Sequence, residues 1–142
     1  MTESADIFAR TLLLDAGPLV AAIDRGDEHH AWARRTLPRL KGRAVTCEAC
    51  LAEALHLLEN SPAAIEALCG FLARMEVVPV IGTDFTTVFD RLAAFAPAMD
   101  FADGCLVVLQ RRIPASIVVT TDHRDFATYR VPFLSPLGVF AE

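Results

Sequence analysis

The sequence predicts an α/β domain in which a mostly parallel sheet lies between two layers of helices. Short apolar stretches alternate with longer stretches of helical spacing, which is typical of βαβ crossovers and a parallel sheet. Hydrophobic residues make up 54% of the chain, as expected when strands are buried on both faces. The 142 residues suit one domain, 1–142. Residues 1–10 are a candidate flexible N-terminal extension.

Four short apolar stretches are predicted to be strands. Thr11–Leu14 is the first. Val77–Ile81 is expected near an edge of the sheet, because Pro79 cannot donate a ladder hydrogen bond. Ser116–Val119 is the third, and Pro132–Leu134 is a weak last strand.

Six helices are predicted between these strands. The first tolerates proline in its opening turn, and Ser61 and Pro62 cap and start the fourth. The second is interrupted near Pro38. The helices are predicted over Pro18–Asp24, Asp27–Leu40, Cys47–Glu59, from Ser61 onwards, Thr83–Phe95 and Phe101–Arg112.

Composition and charge restrict the classes of function. The net charge is −5, whereas a domain that binds nucleic acid over a broad face is usually basic. Any nucleic-acid role therefore requires a local site where metal ions supply positive charge. The longest uncharged stretch, Val131–Ala141, is too short to span a bilayer, and the acidic start lacks the features of a secretion signal. We therefore expect a cytoplasmic protein without a membrane partner.

The four cysteines include one C-x-x-C motif, Cys47 to Cys50. There is no second pair to complete a structural zinc site, and the motif lacks the strand context of a redox centre. The favoured interpretation is four small buried thiols in a reducing compartment.

A carboxylate stands at the end of the first strand. Asp15 follows Leu14 directly, and Gly17 and Pro18 then turn the chain. Burying an unpaired charge costs several kcal/mol, so the position needs an explanation. In open parallel sheets, ligands bind beyond the carboxyl ends of the strands at a topological switch point. Asp15 is therefore a candidate site residue.

Further acids stand in comparable places. Asp100 and Asp103 lie at the start of a helix, where Asp100 suits an N-cap and Asp103 heads an apolar stripe. Asp122 follows the strand Ser116–Val119, with Asp125 three residues later; alone, a turn-forming aspartate is the favoured interpretation. Glu53 borders the apolar stripe of its helix, and from that helix alone an exposed glutamate is favoured.

Together, these acids form a pattern that none forms alone. Several carboxylates cannot share a crevice unaided, because like charges raise one another's pKa values. A divalent cation removes this repulsion, and oxygen ligands suit Mg²⁺ or Mn²⁺ rather than zinc. Such a site can activate a water molecule and stabilise the leaving oxygen of a phosphodiester.

The ordered set resembles the PIN domain, and it is most similar to the VapC-type toxins of bacterial type II toxin–antitoxin pairs. The resemblance runs from about Leu12 to Phe133 and depends on four segments. They are Asp15 in "LLLDAGPLVAAIDRGDEHH", Glu53 in "TCEACLAEALHLL", Asp103 in "MDFADGCLVVLQRR" and Asp122 in "VVTTDHRDF". It implies a three-layer α/β/α fold and a Mg²⁺- or Mn²⁺-dependent endoribonuclease. It also implies a homodimer inhibited by a cognate VapB-like antitoxin.

The resemblance also assigns roles to residues. It makes Asp15, Glu53 and Asp103 the invariant catalytic and metal-binding acids, with Asp122 as the fourth and Asp125 as its alternative. Asp100 is a cap or a peripheral ligand, and Thr120 or Thr121 would hydrogen-bond the carboxylates.

A basic segment between Arg34 and Arg43 is the candidate contact for RNA or antitoxin. Such segments usually form only a solvated surface, but in an acidic protein this one is the best available phosphate or partner contact. Its residues are Arg34, Arg35, Arg39, Lys41 and Arg43.

Three other functions compete with the nuclease. One is a non-catalytic binding module on the PIN fold. Another is a phosphoacceptor receiver-like domain, which would need an acidic pair after the first strand and a lysine beyond the last. Asp15 instead follows a leucine, and the one lysine is Lys41. The third is hydrolysis of phosphate esters other than RNA.

Overall fold

In the computed structural model, which describes residues 7–140, six strands form one sheet in the order β3-β2-β1-β4-β5-β6. Strands β1 to β5 are mutually parallel, and β6 pairs antiparallel with β5. The strands are β1 Leu12–Leu14, β2 Ala44–Thr46, β3 Glu76–Val77, β4 Ile117–Val119, β5 Phe133–Ser135 and β6 Gly138–Phe140. The order reverses direction between β1 and β4, which is therefore the topological switch point.

Seven α-helices connect the strands within residues 7–140. They are α1 Ala16–Ile23, α2 His30–Thr36, α3 Glu48–Leu57, α4 Pro62–Leu72, α5 Ile81–Ala94, α6 Phe101–Arg112 and α7 His123–Tyr129. A 3₁₀ helix, Leu37–Arg39, follows α2.

The strands separate two apolar cores. Leu12 and Leu14 pack on one face of the sheet, together with residues of α1, α3 and α4. Leu13 packs on the opposite face, with residues of α5, α6 and α7. This alternation is the period-two pattern of a strand buried on both sides. The predicted three-layer α/β/α sandwich with a mostly parallel sheet is confirmed.

Several predicted bounds were wrong for identifiable reasons. The helix expected over Asp27–Leu40 is divided into α2 and the 3₁₀ helix, because Pro38 cannot continue the α-helical hydrogen-bond pattern. The strand expected over Val77–Ile81 is only Glu76–Val77, and Ile81 already begins α5. It does lie at an edge of the sheet, as Pro79 predicts.

Three elements were not predicted. Strand β2 is three residues long and directly follows the basic segment, and α7 begins with the polar residues His123, Arg124 and Asp125. Neither has enough apolar periodicity to be recognised alone. Strand β6 pairs with β5 across a short turn and closes the sheet.

The extension predicted for residues 1–10 lies partly outside the described residues, which begin at Ile7. Ile7 is buried in the core beside α1. The carbonyl of Phe8 accepts hydrogen bonds from the backbone N–H groups of Lys41 and Gly42, and Arg10 donates to the carbonyl of Ala115. Residues 7–10 are therefore attached to the domain.

No helix in the described part of the chain is both long enough and apolar enough to cross a membrane.

Candidate functional site

The candidate site lies at the carboxyl ends of β1 and β4. These strands are paired in register, Leu14 with Val119, so the residues that follow them emerge side by side. Asp15 is 6% exposed, and its backbone N–H donates to the carbonyl of Val119. Its Oδ1 accepts from the N–H of Ala16 at 2.8 Å, and its Oδ2 accepts from Thr120 Oγ1 at 2.7 Å. The carboxylate is thus fixed by both neighbouring strand ends.

Three aspartates of the site are also helix N-caps. Asp15 caps α1, Asp100 caps α6 and Asp122 caps α7. Asp100 accepts from the N–H of Asp103 at 2.8 Å, and Asp122 accepts from the N–H of Asp125 at 3.1 Å. Capping satisfies otherwise unpaired helix donors, and the positive end of a helix favours a negative side chain. This explains how the fold tolerates so many acids in one place.

Asp103 lies one turn inside α6 and is 6% exposed. The hydroxyl of Tyr129, on α7, donates to its Oδ2 at 2.8 Å. Tyr129 in turn packs edge-to-face against Phe95 and Phe126. The side chain of Asp103 is therefore oriented by a rigid aromatic neighbour.

The acids raise one another's pKa values. Burial first, and then repulsion from Asp100 and Asp122, raises the pKa of Asp15 to about 6, although the Thr120 hydrogen bond lowers it. Burial and the charge of Asp15 raise the pKa of Glu53 to about 7. The same two causes raise the pKa of Asp103 to about 8, against the lowering effect of Tyr129. These carboxylates therefore act electrostatically as one cluster.

The cluster is not neutralised by basic side chains. None of the ion pairs within residues 7–140 involves Asp15, Glu53, Asp103 or Asp122. In the same residues, no three His, Cys, Asp or Glu side chains are close enough to enclose a metal ion. The donor set consists of carboxylate oxygens with excess negative charge, so it fits a hard divalent cation in chemistry and charge.

Comparison with known proteins identifies the fold. No protein-family model matches the chain, and no curated protein matches it. Among solved structures, the Sarcin-Ricin loop cleaving toxin VapC20 of Mycobacterium tuberculosis matches with a TM-score of 0.74 at 19% identity, over 84% of this chain and 96% of that chain. The chain has the fold of a VapC toxin. VapBC2 from Rickettsia felis, bound to a DNA fragment from its promoter, matches with a TM-score of 0.59 at 14% identity, over 83% and 92% of the two chains.

The VapC fold places the remaining predicted acids and threonines around Asp15. Asp122 is exposed, and Asp125 is partly buried in the first turn of α7, where burial and Asp122 raise its pKa. Thr120 bridges the two acids that follow β1 and β4, because its Oγ1 also accepts from the N–H of Asp122 at 3.0 Å. Thr121 lies against Gly17, where an added Cβ would come within 2.1 Å of Thr121 Oγ1. Gly17 thus lets α1 approach the end of β4.

The predicted basic contacts do not gather at these acids. Arg43 lies beside the start of β1, at the opposite end of the sheet, and pairs with Glu76 through two hydrogen bonds of 2.6 and 2.8 Å. The guanidinium of Arg39 stacks 4.1 Å from the ring centre of Phe8. Arg34 lines a cavity of about 510 Å³ between the α2 region and α4, and Arg35 and Lys41 are exposed.

Sequence reasoning missed two contacts of the site. Tyr129 could have been singled out as the one tyrosine of the chain, three residues after Phe126, but nothing in the sequence links it to Asp103. Cys50 was interpreted only as a buried thiol, yet its Sγ lies 4.0 Å from Asp15 Oδ1 in hydrogen-bonding geometry. The expectation of four buried thiols was wrong for Cys69, which faces solvent on α4.

Proposed function

We propose that this protein is a Mg²⁺- or Mn²⁺-dependent endoribonuclease, the toxin of a VapBC-type pair. One observation carries the proposal. Acids from the end of β1, from α3, from α6 and from the start of α7 raise one another's pKa values at the switch point. The fold that brings them together is also that of a toxin described as cleaving the Sarcin-Ricin loop.

Asp15, Glu53 and Asp103 would hold the cation, with Asp122 as the fourth acid. When bound, Mg²⁺ or Mn²⁺ lowers the pKa of water and stabilises charge on the leaving oxygen of a phosphodiester. The protein contributes preorganisation, since Thr120 fixes one oxygen of Asp15 and Tyr129 fixes one oxygen of Asp103.

Glu53 is the least enclosed of the three assigned acids. It is half-buried on α3, whereas Asp15 and Asp103 are each 6% exposed. A carboxylate whose pKa lies near neutrality is suited to accept a proton at physiological pH. We assign Glu53 Oε the proton released when water attacks the phosphorus, in addition to its part in binding the cation.

The strand order argues against the receiver-like alternative. Receiver-type doubly wound sheets follow the order 2-1-3-4-5, whereas the order here is β3-β2-β1-β4-β5-β6. The backbone N–H of Lys41 bonds to Phe8 at the amino-terminal side of the sheet, away from the acids. A binding-only module and a general phosphate esterase differ from the nuclease in what they hydrolyse.

We expect the purified protein to cleave single-stranded RNA in Mg²⁺ or Mn²⁺ and to leave bis-p-nitrophenyl phosphate intact. Asp15→Asn, prepared identically, is the control for contaminating ribonuclease. Cleavage should be measured on end-labelled RNA in gels. Equal cleavage by both preparations would support a binding-only module, and turnover of the ester alone would support a general esterase.

A VapB-like antitoxin is the partner that accompanies this function. The Rickettsia felis neighbour is itself described as a VapBC2 complex. Arg34 and Arg35, on the last turn of α2, are available to meet acidic side chains of such a partner. Excess of the small protein encoded beside this chain should suppress RNA cleavage, and unchanged cleavage would refute that partner.

A second copy of the chain is proposed to cover α5. Ile81, Phe85 and Phe89 recur every four residues and therefore form one stripe. Phe85 and Phe89 are 58% and 55% exposed, unusually high for large apolar side chains. A symmetric homodimer is the commonest assembly that hides such a surface.

Replacing Phe85 and Phe89 together with glutamate should convert the dimer into a monomer, because four like charges would then face one another across the symmetric contact. Light scattering after gel filtration at tens of micromolar measures the state. Leu137→Glu is the matched control, since Leu137 is 72% exposed in the β5–β6 turn. A wild-type monomer at this concentration would contradict the dimer.

A further inference from the structure

The C-x-x-C motif of α3 lies against the proposed site. Cys47 is the N-cap of α3 and makes no side-chain capping bond, and Cys50 lies on the first turn. Their sulfur atoms are 3.6 Å apart, and both side chains are at most 1% exposed. Cys50 Sγ also reaches Asp15 Oδ1 at 4.0 Å. The two thiols therefore connect the start of α3 to the acid that follows β1.

The sulfur separation is close to what a disulfide needs. A disulfide bond is about 2.05 Å long, so small rotations about the two Cα–Cβ bonds would close the remaining distance. Two cysteines three residues apart at a helix start share one side of the chain, as this contact shows. No other pair of cysteine sulfurs in the described part of the chain has a contact distance this short with both members beside an acid of the site.

We infer that Cys47 and Cys50 form a reversible disulfide under hydroperoxide stress and that this bond switches off the proposed nuclease. The effect on cleavage rests on the proposed function, whereas the disulfide itself does not. In the overall reaction, two thiols and one H₂O₂ give one disulfide and two H₂O. The two S–H bonds and the O–O bond break, the S–S bond forms, the sulfurs are oxidised and the peroxide oxygens are reduced.

Disulfide formation would disturb the acids through two contacts. The Cys50 thiol would lose the hydrogen that it offers to Asp15, and its sulfur would be drawn toward Cys47. Glu53 follows Cys50 by three residues on the same helix, so a shift of the first turn also moves this carboxylate. Misplacing reacting groups by about 1 Å can reduce a rate about 100-fold. We therefore expect at least a tenfold loss of RNA cleavage.

The test treats the folded wild-type protein with a stoichiometric amount of H₂O₂. Intact mass should fall by the mass of two hydrogens, and peptide mapping should locate one Cys47–Cys50 bond. Dithiothreitol should restore both the mass and the cleavage rate. Mn²⁺ binding, followed by calorimetry, should weaken in the oxidised form, which gives a readout independent of turnover.

Two variants make the test specific. Cys47→Ser places a favoured capping residue at the start of α3, and it should fold, cleave RNA in the reduced state and resist the oxidant. Cys69→Ser removes the exposed thiol of α4 and should respond like the wild type. A fully reduced Cys47–Cys50 pair after oxidation, or a bond to Cys105 instead, would overturn the disulfide. An oxidised protein with unchanged cleavage and Mn²⁺ binding would overturn the switch.

Discussion

Replacing Asp103 with asparagine is expected to abolish RNA cleavage while leaving the metal-free domain at least as stable as the wild type. The substitution removes one anionic ligand, and losing groups that merely orient metal ligands already costs about 10–100-fold. It also removes a buried charge whose pKa is raised to about 8 by burial and by Asp15. The asparagine oxygen can still accept the hydrogen bond from Tyr129. Relief of repulsion should therefore offset the small cost of the new amide.

Thermal melting in EDTA at pH 8, beside RNA cleavage in Mg²⁺, measures both effects. Asp90→Asn is the matched control, because Asp90 is an exposed acid on α5 and should alter neither quantity. A melting temperature of Asp103→Asn more than about 5 °C below that of the wild type, roughly 1 kcal/mol or more for a domain of this size, would instead assign Asp103 a structural role.

Without a divalent cation, the protein should be more stable at pH 5 than at pH 8. The pKa values of Asp15, Glu53 and Asp103 in the folded protein are about 6, 7 and 8, above the ordinary values of 3.8 and 4.5. Between about pH 4 and pH 8 the folded state therefore binds more protons than the unfolded chain. Stability falls with rising pH wherever this holds. The expected loss is on the order of 3 kcal/mol, or about 10 °C in melting temperature.

Excess Mg²⁺ should reverse this trend at pH 8, because a ligand that binds only the folded state stabilises it. At pH 5 protons compete for the same carboxylates, so the stabilisation should be smaller. Melting curves across this range, with EDTA or with Mg²⁺, provide the comparison, and Asp103→Asn should show a shallower pH dependence in EDTA. A metal-free stability that rises between pH 5 and pH 8 would contradict the acid cluster.

The sequence was sufficient for the architecture wherever one element dominates its own environment. Leu12–Leu14 is apolar on both faces and ends at an acid, so the strand and its functional end could be recognised together. Helix α6 was predicted with its observed bounds, Phe101–Arg112, because its cap and its apolar stripe agree. Strand β2 escaped prediction because three residues become a strand only through pairing with β1.

The candidate acids were recognisable as a set, but not their supports. Strand ends and helix starts locate Asp15, Asp103 and Asp122 by local rules of chain geometry. The contact between Tyr129 and Asp103 spans 26 residues, and that between Thr120 and Asp15 spans 105. Such contacts follow from the packing of distant elements. The same is true of Arg43, whose partner Glu76 lies on the strand beside its own.

The central claim is that these acids support cleavage only by holding a divalent cation. The most direct test is RNA cleavage by one preparation in EDTA, followed by addition of excess Mg²⁺ or Mn²⁺, with Asp15→Asn treated in parallel. We predict no cleavage in EDTA, recovery with either ion in the wild type, and no recovery in Asp15→Asn. Undiminished cleavage by the wild type in EDTA would contradict the claim.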